Sequence, residues 1–165
     1  MPTSIRLATQ SDLESINTIY NHFVRTCTCT YQDTPETMPD RAAWFAAHDA
    51  LHPVVAAEVD GTIAGWGAVS VFHERGGFRH TVEDSIYVSP AFQGKGIGRL
   101  ILTDLIDRAT HAGHRQIVSA IDSLQGASIA LHLKYGFTHA GRLNGVGTKF
   151  GKSLDLVYVQ KSLGR

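Results

Sequence analysis

The sequence predicts an α/β fold: a single domain over residues 1–165, with a mixed central sheet flanked by helices. Three observations lead there. Short apolar stretches of strand type alternate with longer stretches whose apolar residues recur every three or four positions. One apolar strand, ending at Val88, runs through three glycines straight into a helical pattern. And the chain has 165 residues, 43% of them hydrophobic, a size at which about 68–70% of the unfolded surface can be buried.

Residues 5–7 form the first short strand. Ser11 and Glu14 stand at capping-box spacing, so Ser11 is expected to open a helix carrying Leu13, Ile16, Ile19, Tyr20 and Phe23 on one side. Residues 33–36, with Pro35, read as loop. A second helix is expected over 40–51, with Pro39 near its first turn, where a missing N–H costs nothing. Residues 54–59 and 62–71 are strands joined at Asp60-Gly61, a dipeptide suited to a tight hairpin. Residues 73–79 form a Gly-Gly loop, and 81–88 a further strand. The helix after the glycines turns Leu100, Ile101, Leu105, Ile106 and Ala109 inward and ends near Gly113. Residues 116–121 are a buried strand and 127–135 a helix stopped by Gly136. Residues 138–143 and 154–160 supply the closing strands.

Composition excludes several function classes. Lys plus Arg and Asp plus Glu number 15 each, so the formal net charge is zero. That balance argues against a nucleic-acid partner gripped by bulk charge. No apolar run approaches the roughly 18 residues of a membrane span, and MPTSIRLATQ lacks the apolar core of a signal peptide. Cys27 and Cys29, on an extended segment, would place their Cα atoms roughly 6.5 Å apart, near the upper limit for a disulfide. A reduced, cytoplasmic protein is expected, without membrane or nucleic-acid partner. Nothing completes a Cys-x-Cys metal site, so no metal is expected.

The stretch EDSIYVSPAFQGKGIGRLILTDLI, residues 83–106, poses the chemical question. A strand that passes through glycines into a helix N-terminus makes an anion site, because unpaired N–H groups point outward and the helix dipole favours negative charge. Gly94, Gly96 and Gly98 let a phosphate approach bare backbone, and Lys95 and Arg99 add charge from the sides. Two common phosphate motifs fail. Gly151-Lys152-Ser153 would need a glycine at position 146 for a Walker A loop, and Val146 stands there. A Rossmann Gly-x-Gly-x-x-Gly counted from Gly94 ends on Arg99, and from Gly96 on Ile101.

The segment Gln93-Gly94-Lys95-Gly96-Ile97-Gly98 fits Gln/Arg-x-x-Gly-x-Gly/Ala. It resembles the acetyl-CoA loop of the GNAT superfamily of N-acetyltransferases. Downstream, ASIALHLKYGF resembles that superfamily's second CoA-facing helix. The stretches IYNHFV, TPET, RAAW, FRHTVEDSIYVSP and GVGTKFGKSLDLVYVQKSL are similar to its phosphinothricin and methionine sulfoximine acetyltransferase branch. The resemblance implies a single-domain GNAT fold, acetyl-CoA as co-substrate, a small amino acid or analogue as amine acceptor, and a homodimer.

It also assigns roles to residues. Ile86, Tyr87 and Val88 would offer backbone groups to the pantetheine arm, and Gly94, Lys95, Gly96, Ile97, Gly98 and Arg99 would hold the pyrophosphate. Gln125 would face the pantetheine where asparagine is common, and Lys134 would meet the ribose phosphate. Glu83 matches the proposed base, needed because an α-amine titrating near about 8 is largely protonated at neutral pH. His132 would return a proton to the departing thiolate, with Tyr135 as the alternative acid. Arg79 or Arg75 would clamp the acceptor carboxylate, with Phe78 and Tyr31 as apolar walls. Thr148 and Ser153 stand where the branch usually has aromatic residues, which is expected to reshape the acceptor pocket or a subunit contact. Two other readings stay open: acetylation of a protein N-terminus, lysine or polyamine, and a non-catalytic CoA-binding sensor.

Overall fold

The computed structural model describes residues 2–164. Its elements follow as β1 (Thr3–Leu7), α1 (Leu13–Thr26), α2 (Met38–Ala46), β2 (Val54–Val59), β3 (Thr62–Val71) and β4 (Thr81–Val88). Then come α3 (Ile97–His111), β5 (Gln116–Asp122), α4 (Gly126–Lys134), β6 (Thr138–Lys149) and β7 (Lys152–Ser162). The strands form one sheet in the order β1-β2-β3-β4-β5-β7-β6. Neighbours are antiparallel except β4 and β5, which are parallel. A parallel pair needs a crossover, and α3 supplies it. The expected mixed sheet flanked by helices is therefore the one that forms.

Each sheet face builds its own core. On one face α3 presents Ile101, Leu102 and Leu105, all fully buried, to Val55, Val69 and Val82. Gly65 and Gly67 let this helix sit directly on β3. A Cβ on Gly67 would stand 2.5 Å from Ile101 Cγ2 and 2.9 Å from Leu105 Cδ1. On the other face Leu13, Ile16 and Ile19 of α1 pack on Trp66 and Ala68. There the guanidinium of Arg41, 1% exposed, lies 4.7 Å from the Tyr20 ring centroid and 4.5 Å from that of Trp44. Its Nη2 pairs with Glu36 Oε2 at 2.7 Å, at an angle short of a straight hydrogen bond.

Three local expectations need correction. A 3-10 turn over Gln10–Asp12 leads into α1, and Thr9 and Asp12 cap that turn in place of Ser11 and Glu14. Asp12 Oδ2 accepts from the Thr9 N–H at 2.7 Å, because a two-pronged pair with Arg6 aims the carboxylate inward. Helix α2 ends at Ala46 instead of reaching residue 51. It starts with a complete Thr37/Asp40 capping box, and then Asp49 Oδ1 accepts from the N–H groups of Leu51 and His52, closing a turn that competes with the helix. Finally, β6 runs to Lys149 rather than to residue 143. The strand continues because, after an unpaired bulge at Asn144-Gly145-Val146, pairing with β7 resumes at Gly147 opposite Leu154. Phe150 (φ 52°) and Gly151 (φ 72°) make the turn, whereas Asp60 (φ 48°) and Gly61 (φ 78°) make the hairpin turn expected of them.

Candidate active site

β4 and β5 pair only over Thr81–Glu83 and Gln116–Val118. Beyond Glu83 they diverge, β4 on to Val88 and β5 on to Asp122. A cleft of about 760 Å³ opens in the fork. Its walls are the freed edge of β4 from Asp84 to Val88, the start of α3, residues of α4 including Ser128 and His132, and the chain after α1 including Cys27, Cys29, Thr30 and Tyr31.

The glycine corner closes one end. Gly94 (φ 72°) and Gly96 (φ 81°) occupy left-handed backbone, and Gly96 is the N-cap of α3. Among the described residues the N–H groups of Ile97, Gly98 and Arg99 have no backbone partner, while Leu100 N–H bonds Gly96 O at 3.2 Å. Three free donors at the head of a 15-residue helix match a multiply charged phosphate. An open strand edge beside them matches an amide-bearing chain that adds as a strand.

Glu83 sits where the strands part, half-buried and lining the cleft. Burial, with the charge of Asp84 second, pushes its carboxyl above the ordinary carboxylate range. The next residue points to the opposite face. Asp84, 4% exposed, accepts from His132 Nε2 at 2.9 Å. His132 Nδ1 lies 2.8 Å from Ser128 O, and a carbonyl only accepts, so Nδ1 carries hydrogen. Both ring nitrogens thus face acceptors. Burial opposes protonation of His132, but the Asp84 bond and charge and the Ser128 carbonyl outweigh it, and the net shift is upward.

At the other wall Tyr31 OH donates to Asp122 Oδ1 at 2.8 Å, and Thr28 Oγ1 to Asp122 Oδ2 at 2.6 Å. Gln125 Nε2 donates to Thr28 Oγ1 at 3.2 Å. Tyr31 packs closely against Gly147, where a Cβ would stand 2.5 Å from the ring. Lys149, 4% exposed, donates to Cys27 O at 2.6 Å and Thr30 O at 2.7 Å.

The cleft therefore gathers Tyr31, Glu83, Ile86, Tyr87, Val88, Gly94, Gly96, Ile97, Gly98, Gln125 and His132. Tyr87 gives it backbone, while its ring packs against Tyr20 and Trp66 behind the sheet. Lys95 and Arg99 are exposed beside the glycine corner, with Lys95 Nζ 5.3 Å from the Phe92 ring centroid. Lys134 is exposed on α4 outside the lining. Tyr135 also stands outside it, packed against the core under α3. The three residues assigned to the acceptor beside Tyr31 lie outside as well. Phe78 packs edge-on against Phe72 and tilted against His73, Arg79 donates to Gly76 O at 3.0 Å, and Arg75 is exposed. Among the described residues no lysine or arginine lines the cleft.

Asp84, Thr28, Asp122 and Lys149 escaped the sequence reading. Asp84 alone left a trace, a charged residue in the buried phase of β4 after Val82.

An acetyltransferase (GNAT) family model matches residues 16–137. The chain belongs to the GNAT acetyltransferase family. The L-methionine sulfoximine/L-methionine sulfone acetyltransferase of Salmonella typhimurium is 40% identical over 97% of this chain and 94% of its own length. The phosphinothricin N-acetyltransferase of Alcaligenes faecalis is 37% identical over 97% of this chain and 82% of its own. The crystal structure of a GNAT phosphinothricin acetyltransferase from Sinorhizobium meliloti, in complex with acetyl-CoA, superposes with a TM-score of 0.96 at 37% identity, covering 99% of this chain and 90% of that one. The fold is thus the single-domain GNAT fold, and the chain is an acetyl-CoA-dependent N-acetyltransferase. Among the described residues no helix is long and apolar enough to cross a membrane.

Proposed function

We propose that this acetyltransferase, one domain over residues 1–165, acetylates the α-amine of a small amino acid or analogue of the methionine sulfoximine and phosphinothricin type. The observation that carries the reading is Glu83, a half-buried carboxylate in the fork between the diverging strands, on one continuous cleft with the glycine corner. The relatives' acceptors supply the substrate class.

Acetyl-CoA brings the activated acetyl group as a thioester. In our reading the N–H groups from Gly94 to Arg99 hold its pyrophosphate, with Lys95 and Arg99 flanking. The freed edge from Ile86 to Val88 pairs with the pantetheine arm, Gln125 faces it, and Lys134 meets the ribose phosphate. Glu83 takes a proton from the acceptor ammonium, so a neutral amine faces the carbonyl. Its raised pKa brings it closer to the amine it must deprotonate. His132, kept proton-rich by Asp84, is the acid assigned to the departing thiolate, since Tyr135 lies off the cleft; because its two ring nitrogens face Asp84 and Ser128 O, donation requires the ring to release one of these partners.

The protein is proposed to be a cytoplasmic homodimer. Support for the second copy is the long edge strand β6, whose hairpin leaves Leu143, Val146 and Phe150 at 46%, 55% and 55% exposure. Arg75 and Arg79, assigned to clamp the acceptor carboxylate, both stand outside the cleft of one chain. That observation favours the alternative acceptors, a protein N-terminus, lysine or polyamine, because Glu83, Asp84 and Asp122 line the cleft and no lysine or arginine does among the described residues.

The test follows free-thiol release from acetyl-CoA with L-methionine sulfoximine and its decarboxylated analogue. The amino acid should turn over and the amine poorly. Glu83→Gln should lower kcat/KM by about 10²–10⁴-fold, less at alkaline pH, where more amine is already neutral. Equal turnover of acid and amine favours the alternative. Wild-type activity of Glu83→Gln at pH 7 removes the base assignment.

A further inference from the structure

The segment between α1 and α2 walls the cleft with Cys27, Cys29, Thr30 and Tyr31. Cys27 N–H still bonds Phe23 O, at the end of α1. Beyond it, among the described residues, no backbone–backbone hydrogen bond ties residues 28–36 to a helix or strand. Side chains do the tying. Thr28 and Tyr31 donate to the two oxygens of Asp122, 2% exposed at the end of β5. Lys149, at the end of β6, reaches in from below with one ammonium on two carbonyls, Cys27 O and Thr30 O. No carboxylate pairs with it among the described residues; apart from the Phe150 ring, whose centroid lies 5.1 Å from Nζ, the buried charge is met by those two backbone carbonyls.

We propose that Lys149 is a positioning residue for acceptor binding: its ammonium pins the carbonyls of Cys27 and Thr30, and so holds the Cys27–Tyr31 wall opposite Glu83. This rests on the reading that the acceptor sits at the Glu83 end of the cleft. A neutral side chain at 149 leaves both carbonyls buried without a donor, and the wall moves outward toward water. The glycine corner is built from other elements and stays as it is.

Two readouts separate the inference from a general structural role. The half-buried thiols of Cys27 and Cys29 report the wall directly. In Lys149→Met, without acetyl-CoA, their reaction with a disulfide reagent such as dithionitrobenzoate should accelerate about 10–100-fold, the loss expected for a charge-assisted bond. Acceptor KM should rise by about the same factor, kcat should change far less, and CoA affinity by calorimetry should stay within about twofold. Lys149→Gln removes the charge but keeps an N–H donor and should shift both readouts the same way by less, so the inference stays testable if Lys149→Met does not fold. Unchanged thiol rates in a folded variant overturn the staple. Faster thiols with unchanged acceptor KM overturn its role in acceptor binding, as does a parallel loss of CoA affinity. Failure of the acceptor reading itself shows separately, as wild-type protein that does not turn over amino acids.

Discussion

Gly67→Ala adds one methyl where the sheet meets the helix that carries the glycine corner. The new Cβ would stand 2.5 Å from Ile101 Cγ2, 2.9 Å from Leu105 Cδ1 and 3.1 Å from Ser85 O. Carbon–carbon contacts are comfortable at about 3.5–4.0 Å, so α3 must lift by about 1 Å or β3 must bend away. Both Ile101 and Leu105 are fully buried, which leaves neither side chain room to rotate aside. Overpacking of this kind costs about 1–3 kcal/mol, and for a chain of this size that lowers Tm by about 2–12 °C. The displacement also reaches function, because α3 holds the free N–H groups of Ile97, Gly98 and Arg99 at its head. CoA affinity should fall alongside Tm. Thermal melts by circular dichroism and CoA titration by calorimetry check both, with Gly76→Ala as control, since a Cβ there meets nothing within 4 Å. A Gly67→Ala protein with wild-type Tm and wild-type CoA affinity would refute the claim that α3 is seated by this glycine.

Gly96→Asp places a β-carbon at φ 81° and a like charge beside the phosphate donors, so CoA affinity should drop at least about tenfold while the fold survives; calorimetry reads it. Asp84→Asn breaks the buried pair with His132 and should cost about 3–5 kcal/mol at acid pH, read by denaturant melts. Because the folded pKa of His132 is raised above 6.5, the pair's contribution is complete below about pH 6.5 and fades as pH rises through the folded value. The gap between wild type and Asp84→Asn should therefore narrow from pH 6 to pH 9, and a gap constant with pH would show that His132 holds no extra proton.

Much of this protein was legible in its sequence, where the physics is local. Strand and helix periodicity placed the main elements, because burial of one face repeats every two residues or every three to four. Asp60-Gly61 announced its turn through backbone conformations that those residues tolerate. The glycine corner was readable for the same reason, as was the family, since Gln93 to Gly98 must lie consecutively to build one helix head. Local competition already blurred the edges. Asp49 ended α2 early, and Phe150-Gly151 made a turn that phenylalanine does not advertise.

What only the tertiary structure decided is which distant residues meet. Asp84 and His132 lie 48 positions apart, Thr28 and Asp122 94, and Cys27 and Lys149 122. The strand order of the sheet and the packing of α4 and of the segment after α1 against it bring these pairs together, and no spacing in the chain encodes that. Folding also turned Tyr135 into the core and left Arg75 and Arg79 outside the cleft, although Arg79 lies only four positions before Glu83. Proximity in sequence fixes neither the face of a strand nor the direction of a loop. Those follow from the side chains that must be buried, and here the buried side chains belong to opposite ends of the chain.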